Sequence, residues 1–141
     1  MNERWIKKKP QLVQISLADG SGISGEVFLL SETISDILNG QNTFIPVKTI
    51  TEVLLLNCAQ IVSVTVQTPW EQDELITLGN QYSIRLRMVN GKEMEGDIFA
   101  NLPENFFRVK DFLDQPFSFL PLFQPGHTVY FNKKFILSVH D

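Results

Sequence analysis

A single cysteine, Cys58, among 141 residues excludes an internal disulfide and fits a reducing compartment. Long apolar runs are missing too. None approaches the roughly 18 to 20 residues that a membrane-spanning helix needs, so no stable membrane insertion is expected. The opening "MNERWIKKKPQLV" carries the positive charge of a secretory leader but no apolar run behind it, which predicts a cytoplasmic protein. The two histidines, His127 and His140, have no neighbouring cysteine and no spacing that suits a metal. No metal and no cofactor are expected. Charged residues make up 20% of the chain and sum to −4, a poor default for binding phosphate backbones.

What is present is apolar material, 43% of the residues, enough for one ordinary domain or two very small ones. Charge is uneven. Residues 1–10 carry an excess of +3, residues 11–66 carry −4 and residues 67–80 carry −3, while 81–141 balance seven basic against seven acidic groups.

The chain repeats itself. "LADGSGISGEVF" (Leu17 to Phe28) returns 71 residues later as "MVNGKEMEGDIF" (Met88 to Phe99). After four extra residues the offset becomes 75 and stays there: "SDILNGQNTFIPV" lies over "KDFLDQPFSFLPL", and "VLLLNCAQIVSV" over "TVYFNKKFILSV". Over positions 13–28 and 33–64 this gives 11 identities in 48, among them Gly20/Gly91, Gly25/Gly96, Pro46/Pro121 and Asn57/Asn132. Such sustained register implies an internal duplication.

Each copy reads as β. In "VQISLADG" Val13, Ile15 and Leu17 alternate with Gln14 and Ser16, the two-residue period of a half-buried strand. "ADGSG" and "VNGK" are hairpin-turn chemistry. Gly25 and Gly96 sit early in the second strand, where a missing side chain permits a sharp bend. "SDILNG" and "KDFLDQ" are long enough for one helical turn, which Ser35 would cap and Gly40 would end. Pro46 and Pro121 predict an edge strand or a strand end. "VLLLNCAQIVSV" reads as a closing hairpin with Asn57 at its turn. Five or so short strands per copy predict an all-β chain. Its parts are a basic arm (1–10), a first small barrel (11–66), an acidic linker (67–80) and a second barrel (81–141), the barrels packed as a pseudo-dimer.

At "VQISLADGSGISGEVF" and "SIRLRMVNGKEMEGDIF" the chain resembles the first motif of the Sm-like family, and "TVYFNKKFILSV" resembles the second. The likeness is strongest in the second copy, toward the bacterial RNA-chaperone branch. "SDxLN…F(I/L)P" is also similar to a signature of bacterial domains that implies no function. The family resemblance implies five-stranded Sm-like (SH3-like) barrels that associate by pairing the fourth strand of one with the fifth of the next. It also implies a base-binding loop, which Asn105, Phe106 and Arg108 of the second copy could imitate. Lys133 and Lys134 would stand at its last turn, where the first copy has Cys58 and Ala59.

No catalytic constellation emerges, and no enzyme is expected. Asp36 and Asp111 occupy equivalent places in different copies, so they read as local turn caps and not as an acid–base pair. Cys58 has no basic neighbour to activate it. The phenylalanines are uneven, nine of eleven falling in the second copy. Phe28 and Phe44 mark Phe99 and Phe119 as core positions, which leaves Phe106, Phe107, Phe117 and Phe123 as a candidate partner face. The reading is a non-catalytic module that binds a protein partner or assembles with itself. The alternative is nucleic-acid binding through Arg85, Arg87, Asn105, Arg108, Lys133 and Lys134.

Overall fold

A computed structural model describes residues 9–67, 80–100 and 108–140. The chain is mostly antiparallel β. The first half supplies β1 (Lys9–Leu17), β2 (Gly22–Leu29), a short helix α1 (Ile34–Leu38), β3 (Phe44–Lys48), β4 (Val53–Asn57) and β5 (Ile61–Gln67). The second supplies β6 (Asn80–Met88), β7 (Glu93–Ala100), α2 (Arg108–Leu113), β8 (Phe119–Gln124), β9 (His127–Asn132) and β10 (Ile136–His140). Most of the basic arm, most of the acidic linker and the segment 101–107 lie outside the described residues.

All ten strands form one open sheet, ordered β10-β6-β7-β8-β9-β5-β1-β2-β3-β4. The first half therefore runs β5-β1-β2-β3-β4 and the second β10-β6-β7-β8-β9, and β5 pairs with β9 across the join. This corrects the hairpin expected at Asn57, because no ladder joins β4 to β5 among the described residues. The cause is local. Asn57 Oδ1 accepts from Ala59 N at 3.0 Å and starts a 3-10 turn over Cys58–Gln60, which steers the chain away from β4 and onto β1. Asn132 does the same for Lys133–Phe135, bonding Lys134 N at 3.0 Å, and β10 leaves to pair with β6.

Each half nonetheless wraps its own core. Val13, Ile15, Val27, Ile45, Val47, Leu56, Ile61 and Val64, from all five strands of the first half, meet in one cluster; Ile84, Leu86, Ile98, Leu122 and Phe131 anchor a second. A sheet can surround a core of this size only by bending hard, and the glycines show where. A Cβ on Gly25 would stand 2.6 Å from Lys48 O, and one on Gly96 2.7 Å from Phe123 O. Beside these points β2 touches β3 at one pair, Glu26↔Lys48, and β7 touches β8 at Asp97↔Phe123. That parting of the ladder also explains Pro46 and Pro121. They sit in interior strands, not at the expected edges, and their missing N–H groups are tolerated because pairing to β2 and β7 is nearly absent there.

Two smaller expectations change. The N-cap of α1 is Thr33 and not Ser35: Asp36 N donates to Thr33 Oγ1 at 3.1 Å while Thr33 N donates to Asp36 Oδ2 at 2.9 Å, a reciprocal capping box. Phe28 and Phe44 are exposed, whereas Phe119 is buried. The phenylalanine pattern thus marks something other than a shared core position.

Candidate assembly edges

The joint between the halves is built from both sides. Along its ladder Ser63 faces Phe131, Val64 faces Tyr130 and Thr65 faces Val129. Side chains cross it in both directions: Phe119 and Tyr130 pack into the core of the first half, and Val62 packs into the core of the second. Polar groups lock the register. Asn132 Nδ2 donates to Ile61 O at 2.9 Å. Asn39, the C-cap of α1, holds the backbone of Phe119 on both sides, accepting from its N–H at 2.8 Å and donating to its carbonyl at 3.0 Å. Burial at this joint, with the Asp36 charge second, pushes the Tyr130 hydroxyl above its ordinary pKa.

The sheet ends in β4 on one side and β10 on the other, and these strands, with Phe44 on β3 beside them, carry the counterparts of the joint residues. Phe44, the counterpart of Phe119, is 53% exposed where Phe119 is 3% exposed. Leu55, which matches half-buried Tyr130, is 68% exposed; Leu137, which matches Val62 at 3%, is 62% exposed. Val53, the counterpart of buried Thr128, is exposed as well. Positions that are dry at the joint are thus wet at the two ends, and the ends are complementary, since one repeats β9 and the other β5. Alternation alone would have assigned the second-position side chains of β4 and β10 to solvent. Only the match with β9 and β5 sets them apart from ordinary surface residues.

Of the expected partner face, Phe117 is exposed and Phe123 is half-buried, its ring meeting Phe99 edge-on with centroids 5.4 Å apart. Phe106 and Phe107 lie outside the described residues, as does Asn105. Arg108 begins α2, but its side chain is likewise outside what is described. The structure gathers no common patch from the rest.

The basic candidates are also scattered. Arg85 lies 3.7 Å from Glu93 and 3.9 Å from Glu95, and Arg87 stands opposite Glu93 in the ladder. Lys133 Nζ donates to the carbonyls of Leu113 and Gln115, closing the end of α2. Lys134 is exposed, its Nζ 5.6 Å from the centre of the Phe135 ring. Cys58 is buried, which pushes its thiol up and away from the reactive thiolate. His127 shares a 2.8 Å hydrogen bond with Gln124. Among the described residues no group of three or more His, Cys, Asp or Glu side chains could hold a metal, and no helix is long and apolar enough to cross a membrane.

Comparison with known proteins adds nothing to this geometry: no protein-family model, no curated protein and no solved structure matches the chain.

Proposed function

We propose that this protein is a non-catalytic assembly module, a tandem of two Sm-like, barrel-shaped halves (residues 11–66 and 81–141) that joins further copies of itself head to tail. The β4 edge of one chain would add to the β10 edge of the next as β9 adds to β5 within the chain. The observation that carries the reading is the exposure of Phe44, Leu55 and Leu137 against the burial of Phe119, Tyr130 and Val62. An unpaired edge bearing large apolar side chains is normally blunted with charge or proline. Neither defence appears along Val53–Asn57 or among Ile136, Leu137, Ser138 and Val139. A joint between unlike surfaces closes into a ring or continues as a filament. The strand order of each half and the glycine-bent second strand agree with the Sm-like resemblance. The basic side chains support the nucleic-acid alternative less well, because several are already engaged with carboxylates or carbonyls.

The test is a sedimentation and light-scattering series on the full chain, run with Leu55→Arg and Leu137→Arg, each of which spoils one edge. Wild type should run above the monomer mass and each variant alone as a monomer. Mixed in equal amounts, the variants should form a heterodimer, since one keeps a sound β10 and the other a sound β4. A wild-type chain that stays monomeric at about 100 μM, well above the range of typical specific contacts, would sink self-assembly. The partner would then be foreign. Salt-sensitive binding of short RNA by the same sample would direct the search to nucleic acid.

A further inference from the structure

At the internal joint the residue that grips the incoming strand is Asn39, and its counterpart in the second half is an aspartate. The two sites are built alike. Asn39 N donates to Ser35 O and Asp114 N to Lys110 O, both at 2.9 Å; Gly40 N reaches Ile37 O and Gln115 N reaches Phe112 O, both at 3.4 Å. The strand that each site would grip is also presented alike. Cys58 N donates to Thr43 O and Lys133 N to Ser118 O, both at 2.9 Å. These bonds make Phe44↔Asn57 and Phe119↔Asn132 non-hydrogen-bonded pairs, so the N–H and C=O of both phenylalanines point away from the neighbouring strand. Phe119 offers its pair to Asn39. Phe44 offers the same pair at the free edge.

We propose that Asp114 sets the strength of the joint between chains, holding it weaker than the joint within the chain. This rests on the head-to-tail reading above. An amide side chain has an acceptor oxygen and a donor nitrogen and satisfies both backbone groups of Phe119. A carboxylate is acceptor-only. It can take the Phe44 N–H of the next chain, but it sets a negative oxygen beside the Phe44 carbonyl and leaves that carbonyl without a donor. Asp114 Oδ2 is also held by Lys110 one helical turn earlier, an ion pair that raises the lysine pKa and leaves Oδ1 as the oxygen that can meet Phe44. The chain therefore carries a tight joint inside and a looser, reversible one outside, and the exchange of Asn39 for Asp114 weakens the outer grip.

The heterodimer of Leu55→Arg with Leu137→Arg isolates this joint. The Leu55→Arg chain supplies β10 and Asp114; the Leu137→Arg chain supplies β4 and Phe44. Adding Asp114→Asn to the Leu55→Arg chain should lower the heterodimer dissociation constant about fivefold to tenfold, the worth of one completed hydrogen bond. The same change on the Leu137→Arg chain, whose Asp114 faces no partner, should alter nothing. An unchanged or weaker heterodimer with Asp114→Asn, or an equal tightening by Asp114→Ala, would overturn the amide-grip argument while leaving head-to-tail assembly intact. Absence of any heterodimer would overturn both.

Discussion

At the internal joint Phe119, Tyr130 and Val62 reach across into the opposite core, whereas at the two ends Phe44, Leu55 and Leu137 hold the same places in the register and face outward. The chemistry of the two sets is close, aromatic or aliphatic in every case. What differs is whether a neighbour is there. Exposure in this molecule is therefore a statement about company more than about side-chain type, and it separates residues that stabilise the fold from residues that contribute little to it. The largest test of that separation is a matched pair of truncations. Phe119→Ala should cost about 3–5 kcal/mol of folding stability in urea denaturation, because it empties a packed site. Phe44→Ala should stay within about 0.5 kcal/mol for the monomer, as surface changes do. Its effect should appear in the dissociation constant of the assembly. Equal costs for the two in the monomer would show that the edge is already covered by the chain itself.

The sequence made some of this legible and hid the rest for physical reasons. The two-residue alternation in β1 and β6 and the Gly turns were readable because they are local. Gly20 and Gly91 take φ of +90° and +88°, and the Asp19 carboxylate, bonded by the Ser21 hydroxyl and N–H, is held below its ordinary pKa. The path after Asn57 reads as a hairpin in the sequence because a capped 3-10 turn and a tight hairpin use the same residues, and only the competition between β1 and β4 for β5 decides. Phe28/Phe99 and Phe44/Phe119 read as shared core positions, yet of the four only Phe119 is buried, because the opposite half covers it while nothing covers Phe44. The candidate residues Phe106 and Phe107, which rest on the phenylalanine surplus, and Asn105, which rests on the family resemblance, fall outside the described residues.

A second test asks whether the bend belongs to each half or to the joint. Gly25→Ala would set a methyl 2.6 Å from Lys48 O and 2.8 Å from Val47 Cγ1; Gly96→Ala would set one 2.7 Å from Leu122 Cγ and 2.7 Å from Phe123 O. Both should destabilise the monomer by about 1–3 kcal/mol, the usual cost of forcing a methyl into a filled space. The two costs should be similar, because each methyl meets a backbone oxygen that cannot turn aside, Lys48 O at 2.6 Å and Phe123 O at 2.7 Å. Neither change touches the outer faces of β4 or β10, so the heterodimer of edge variants should keep its affinity. A loss of affinity that follows the loss of stability would mean that the bend sets the pitch of the edges as well as the shape of the core.

The smallest expected effect comes from exchanging one of the unlike pairs in the two 3-10 turns, Cys58 and Lys133. Lys133 Nζ donates to Leu113 O and Gln115 O, so it satisfies carbonyls that the end of α2 leaves open. The last turn of α1 has no basic residue, and Cys58 occupies the matching place as a small buried apolar group. Cys58→Lys would bring an ammonium toward the carbonyls of Leu38 and Gly40. The gain from a cation at a helix C-terminus is about 0.3–1 kcal/mol, set against lost burial of the thiol, so the urea midpoint should move only slightly, with the slope unchanged. Lys133→Met, in the other direction, removes the donor from two carbonyls and should cost about 1 kcal/mol. That cost bears on the alternative function. A lysine kept for phosphate contacts would leave the fold untouched when replaced, whereas one that closes a helix lowers the urea midpoint, and the same variant read in both assays tells the two roles apart.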